Sequence, residues 1–282
     1  NLLSLLPDQI HSLKSYFQNM FRYALKIEYD GTLFHGWQKQ SQLKTVQGEI
    51  NLALRNLDNL SEGVTGAGRT DAGVHATGQV AHVDMNTEWE PIKLQNALNY
   101  YLKPWPIAIV GAVKVNSDFH SRFSAQERYY LFKILIRPAP LTLDKNRFWH
   151  VRRHLDVKKM VEGASYLIGR HDFTTFRSSS CQAKSPIKTI EKIIINETEI
   201  ELGSVIEIRL KAQSFLHNQV RSIAGTLEKV GSGNWVPEQV GAALSKKNRT
   251  ACGPVAPPMG LYLTKINYRE PIFRDRIDPE NI

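Results

Sequence analysis

Gly66-Ala67-Gly68-Arg69-Thr70-Asp71-Ala72-Gly73-Val74-His75-Ala76-Thr77-Gly78 leads straight into the alternating segment Gln79-Val80-Ala81-His82-Val83-Asp84. Glycine admits positive φ and lets a second backbone or a ligand approach closely. An Asp two residues after an Arg, set between glycines, is the pattern of a preorganised reactive carboxylate beside a cationic partner. The same letters also describe a polar turn before a strand, with Asp71 bonded to its own backbone. The surrounding chain decides between the two readings.

Outward from this stretch the pattern alternates strand and helix. Residues 23–29 read as a strand closed by the turn signal Asp30-Gly31. Residues 45–57 read as a helix with Val46, Ile50, Ala53, Leu54 and Leu57 on one side. After the Asp71 loop come a strand at 79–84, a helix at 91–102 opened by Pro91, and a strand at 107–115. This order is close to β-α-β-β-α-β, a split βαβ arrangement. The second half repeats it: strand 128–136, helix 156–167, paired strands 187–196 and 205–212, helices 217–230 and 237–244, and a last strand 261–268. Two related α+β halves sharing one sheet, with helices on one face, place a cleft between them. The expected divisions are an extension at 1–20, halves at 21–122 and 123–270, and a charged, mobile tail at 271–282.

The 282 residues can bury a large core, and 42% apolar with 22% charged residues is the composition of an ordinary globule. Lys and Arg outnumber Asp and Glu by 36 to 27, a net charge of +9, which favours a polyanionic partner. Cys181 and Cys252 stand far apart, without metal-ligand spacing, and fit a reducing cytoplasmic compartment. No apolar run approaches the ~18 residues a membrane span requires. Leu6, Ile10, Leu13, Phe17 and Met20 recur at helical spacing, and Met20 is read as a natural start preceded by an extension. Arg147-Phe148-Trp149-His150-Val151-Arg152-Arg153-His154 reads either as a phosphate-tracking surface or as a solvated loop, and Lys246-Lys247-Asn248-Arg249 is a similar case.

Three further segments carry chemistry. Phe119-His120-Ser121-Arg122-Phe123-Ser124-Ala125, followed by Arg128-Tyr129-Tyr130, mixes an Arg with alternating aromatics. Ser214-Phe215-Leu216-His217-Asn218-Gln219-Val220-Arg221 places Arg221 one turn beyond His217. Gly253-Pro254-Val255-Ala256-Pro257-Pro258-Met259-Gly260-Leu261-Tyr262-Leu263 is a proline-rich loop feeding a strand. Together with Gly68–His75 and Tyr29-Asp30-Gly31-Thr32-Leu33-Phe34-His35-Gly36-Trp37-Gln38, these motifs, in this order, closely resemble the tRNA pseudouridine synthase A family. The resemblance runs from Arg22 to about Tyr268.

The resemblance implies the pseudouridine synthase fold, α+β, with two ferredoxin-like-related halves sharing a mixed, mainly antiparallel sheet and a central cleft. It implies isomerisation of uridine to pseudouridine in the anticodon stem-loop of tRNA, at positions 38, 39 and 40, by a homodimer. That reaction breaks the C1′–N1 bond, turns the uracil and rejoins it through C5, so no cofactor or metal is expected. Asp71 matches the catalytic aspartate. Tyr130 matches the active-site tyrosine that stacks on a flipped-out base. Arg221 is taken as the ion-pair partner that orients Asp71 and favours its carboxylate, and Arg69 as a wedge or phosphate clamp. A noncatalytic RNA-binding protein, a nucleoside glycosidase and a relative acting at other tRNA positions are the competing readings. A glycosidase would call for a second carboxylate, and none stands in the matched motifs.

Overall fold

The computed structural model describes residues 20–59 and 61–273. The helical pattern read in residues 1–19, and most of the tail, lie outside the described residues. The first half runs β1 (Phe21–Tyr29), α1 (Val46–Arg55), β2 (Thr65–Gly66), β3 (His75–Met85), α2 (Pro91–Tyr101) and β4 (Ile107–Lys114). It continues through β5 (Ala125–Ile136), β6 (Trp149–Val151), α3 (Val157–Ser165), β7 (Gly169–Asp172), β8 (Ile187–Ile200), β9 (Gly203–Ala212), α4 (Gln219–Gly231), α5 (Glu238–Ser245) and β10 (Leu261–Tyr268). The helices and long strands fall where periodicity placed them, within a few residues.

Local chemistry accounts for the elements. In β9, Ile206, Ile208, Leu210 and Ala212 are buried while Glu207, Arg209 and Lys211 lie between them, the period of two of a half-buried strand. Helix α1 buries Val46, Ile50, Ala53 and Leu54, and the Thr45 hydroxyl caps it by accepting the Gly48 N–H. Helix α4 is buried almost all round, which makes it a rigid pedestal.

All strands join one sheet in the order β4-β1-β3-β10-β5-β9-β8-β7, with β2 also on β3 and β6 also on β5. Pairing is antiparallel except for β10 with β3 and β6 with β5. The sets β4-β1-β3-β2 and β10-β5-β9-β8 show the same spatial order, fourth-first-third-second, so each is a ferredoxin-like βαββαβ unit. The expected mixed, mainly antiparallel sheet is present.

The seam between the two sets positions the Asp71 loop. Strand β3 shares one edge between two partners, β2 at Ala81 and His82 and β10 at His75 and Ala76. The chain linking β2 to β3 therefore emerges where the halves meet. Strand β3 begins at His75, earlier than residue 79, so part of the glycine-rich stretch is strand. Gly78 lies inside it because β10 passes so close that a Cβ there would stand 2.0 Å from the Thr264 carbonyl oxygen.

The segment 147–154 is not a solvated loop throughout. It contains β6, Arg147 pairs with Asp30 at 2.8 Å, and Arg153 pairs with Glu228.

Candidate active site

Two motifs clasp the Asp71 loop. The Thr70 carbonyl accepts the Trp37 N–H at 3.0 Å, and the Gly73 N–H donates to the Phe34 carbonyl at 3.3 Å. The Thr70 hydroxyl meets the Tyr29 hydroxyl at 2.7 Å. From the strand side, the Gln79 amide donates to the Gly68 carbonyl at 2.9 Å. Within the loop, the Val74 N–H closes a turn onto the Asp71 carbonyl at 3.1 Å.

The clasp is close enough to demand glycine. Gly36 has φ +88° and would place a Cβ 2.6 Å from the Thr70 carbonyl oxygen. At Gly31 a Cβ would stand 2.0 Å from the Val74 carbonyl oxygen, with backbone on both sides of the conflict. Gly31→Ala is therefore expected to cost about 1–3 kcal/mol or more by overpacking. The readout is a thermal melt, with the midpoint lowered by several degrees and activity lowered with it. An unchanged midpoint would contradict the rigid clasp.

Arg221 reaches Asp71 from the opposite half. Its Nη1 donates to Asp71 Oδ2 and to Asn218 Oδ1, each at 3.1 Å, and its Nε donates to the Ala256 carbonyl at 2.8 Å. Asn218 starts α4 with φ 63°, and Gln219 accepts the Leu216 N–H at 2.8 Å, which fixes how the chain enters the helix. The proline-rich loop crosses α4 at Gly225, where a Cβ would meet the Pro254 carbonyl oxygen at 2.0 Å. That crossing brings Ala256 to Arg221, and the Ala256 N–H donates back to the Arg221 carbonyl at 3.0 Å. The guanidinium is thus held by two acceptors, Asn218 and Ala256, besides the carboxylate, a geometry suited to an Arg fork.

The second Asp71 oxygen has its own neighbour. His217 Nε2 lies 3.3 Å from Oδ1, and the His217 side chain is exposed to the cleft mouth. Sequence reasoning placed His217 in a motif but gave it no role. The available signal was its spacing of four residues before Arg221. His217 precedes α4 rather than lying in it, and the left-handed Asn218 turns its ring toward the carboxylate.

These groups line a cleft of about 1020 Å³, which Arg69, Arg122, Arg128 and Tyr130 also border. Tyr130 lies on β5, almost fully buried, with its ring edge-on to Phe215 at 5.1 Å between centroids. Burial pushes its hydroxyl up to about 12; the nearby Arg128 works against that and Asp71 adds to it, so the phenol stays neutral near pH 7. Arg69 is exposed on the loop and makes no ion pair among the described residues. Arg128 is buried, and burial lowers its pKa. It donates to the Gln213 carbonyl, and at 3.0 Å to both the Ala67 and the Arg122 carbonyls. It therefore ties the stretch leading to Asp71 to the 119–124 turn. No group of three or more His, Cys, Asp or Glu side chains suited to a metal occurs among the described residues.

The model of a family described as tRNA pseudouridine synthase matches residues 26–124 and 164–269, most of the chain. The chain belongs to the tRNA pseudouridine synthase A family. It is 55% identical over 255 residues to the tRNA pseudouridine synthase A of Dinoroseobacter shibae, covering 90% of this chain and 99% of that one. It is likewise 55% identical over 259 residues to that of Paracoccus denitrificans, covering 91% and 99%. With that of Roseobacter denitrificans it shares 52% identity over 254 residues, covering 90% and 98%. A slight likeness to the crystal structure of a Cbf5-Nop10-Gar1 complex, TM-score 0.32 at 11% identity over 90% of this chain and 49% of that one, adds nothing to this.

Proposed function

We propose that this family member isomerises uridine to pseudouridine in tRNA, at positions 38, 39 and 40 of the anticodon stem-loop, with Asp71 as nucleophile toward a flipped-out uridine. The observation that carries the reading is Asp71 itself, a carboxylate gripped on Oδ2 by Arg221 at 3.1 Å within a cationic cleft. An arginine partner holds and aims a carboxylate, which both nucleophilic attack and proton abstraction require. The reaction is balanced without a co-reactant: C1′–N1 breaks, C1′–C5 forms, the C5 proton leaves and N1 gains one. No cofactor or metal enters the proposal.

The other residues take roles around that centre. A target base leaving its stack loses a few kcal/mol, and contact with the Tyr130 ring offsets part of it. Arg69, exposed beside Asp71, suits a wedge or a clamp on phosphate. His217 Nε2 steadies the second oxygen at 3.3 Å and must yield it as the ribose approaches. The halves 21–122 and 123–270 act as two walls of one cleft, and a homodimer working in the cytoplasm completes the reading.

Tyr130 gives a graded test. Tyr130→Phe is expected to keep most activity. Tyr130→Ala is expected to lose about 10- to 100-fold, as base–aromatic contacts are worth about 1–3 kcal/mol. Single-turnover rates on a tRNA transcript compare the two, and equal losses would argue against a stacking role. The noncatalytic alternative predicts RNA binding with no product from any variant.

A further inference from the structure

The turn at residues 119–124 takes no part in the chemistry above, yet it is built with unusual rigidity around exposed rings. His120 Nδ1 accepts the Arg122 N–H at 3.2 Å and the Phe123 N–H at 3.3 Å. The Ser124 N–H donates to the His120 carbonyl at 2.9 Å. Beneath it, Ser121 donates to the Thr65 carbonyl at 2.6 Å and pairs with His82 Nδ1 at 3.0 Å. Three rings follow one another outward. Buried His82 lies 4.7 Å from His120, and His120 lies 4.3 Å from Phe123, tilted by 34°. Phe123 is 77% exposed, a large apolar area held in water by a turn that does not need it for packing.

We propose that Phe123, seated on His120, is a stacking platform for an unpaired base of the RNA strand lying outside the catalytic pocket. The proposal rests on the tRNA reading of the cleft. Charge selects RNA over a protein partner. The Arg122 guanidinium lies 5.7 Å from the Phe123 ring centre, borders the same cleft as Asp71, and makes no ion pair among the described residues. An aromatic face beside a free guanidinium suits a base with its adjoining phosphate. Connection to the cleft is direct, because Arg128 bonds both the Arg122 carbonyl and the Ala67 carbonyl that leads to Asp71. A base stacked on Phe123 would therefore be held at a fixed offset from the base being isomerised.

The test uses the full chain and anticodon-arm transcripts with 5-iodouridine at one unpaired, non-target position at a time. Irradiation followed by peptide mapping is expected to give a crosslink within residues 119–124 from one such position. Phe123→Ala should raise KM for the transcript about 5- to 100-fold with kcat nearly unchanged, and Phe123→Trp should restore it. Loss of so exposed a ring leaves the fold intact, which an unchanged melting midpoint checks. If wild type forms pseudouridine but no such crosslink appears and Phe123→Ala keeps its KM, the platform is overturned and the tRNA reading stands. A changed oligomeric state in Phe123→Ala with KM unchanged assigns the ring to contact between copies and also overturns it. No product and no transcript binding by wild type would sink the tRNA reading, and the platform with it.

Discussion

Asp71→Asn is expected to lower pseudouridine formation by at least about four orders of magnitude while leaving tRNA affinity within a few-fold of wild type. The substitution keeps the shape of the side chain and removes its charge. Asparagine can still accept the Arg221 bond at Oδ2's position, so the clasp formed by Thr70, Gly73 and Val74 has no reason to move. An amide is neither a nucleophile toward C1′ nor a base, so the bond-breaking step loses its agent. Release of tritium from C5-labelled uridine reports turnover, and filter binding reports affinity. Turnover near wild type would remove Asp71 from the reaction. Equal collapse of binding and turnover would mean that the carboxylate holds the site together rather than acting in it.

Arg221→Met is expected to lower both activity and stability. It leaves a carboxylate, the Asn218 amide oxygen and the Ala256 carbonyl without their donor. Breaking a fully buried pair costs about 3–5 kcal/mol. Here the side chains are 16% and 24% exposed, so solvent screening reduces the cost to about 2 kcal/mol. For a chain of this size that lowers the melting midpoint by roughly 4–8 °C. Activity should fall about 100- to 1000-fold, the scale for losing a preorganised electrostatic partner. Arg221→Lys should recover only part of either, since one ammonium cannot serve Asp71 and Ala256 in the same fork geometry. In an Asp71→Asn background the stability cost should shrink, because the stranded carboxylate is gone. A cost unchanged by that background would show that Ala256 and Asn218, rather than Asp71, are what Arg221 holds.

The fold was legible wherever burial imposed a period. Val46, Ile50, Ala53 and Leu54 mark one helix face, and Ile206, Ile208 and Leu210 mark one strand face. Strands β2, β6 and β7 were not legible, since two to four residues cannot display alternation and β7 reads Gly-Arg-His-Asp. Their pairing is imposed by neighbours rather than by their own side chains. The reach of β3 back to His75 was hidden for a related reason. Gly66 and Gly78, which suggest a loop, are there because Trp37 and β10 approach too closely for a side chain.

The site was legible through its motifs, in part. Asp71 stands out in its own motif, Tyr130 and Arg221 are named through the family resemblance, and the structure brings all three to one cleft. Arg128 stood in a motif, but its service to three carbonyls depends on where Ala67, Arg122 and Gln213 meet in space. His217 depends on one left-handed residue, Asn218, whose φ of 63° no periodicity reports. The exposure of Phe123 is likewise a tertiary fact, because aromatics beside a strand are ordinarily core.

The most direct measurement is pseudouridine mapping on unmodified tRNA transcripts by carbodiimide labelling and primer extension, after incubation with the wild-type chain. Stops confined to positions 38, 39 and 40 of the anticodon arm, absent when Asp71→Asn replaces wild type, are the predicted result. Intact tRNA binding with no stops in any transcript would contradict the account and leave a noncatalytic RNA-binding protein in its place.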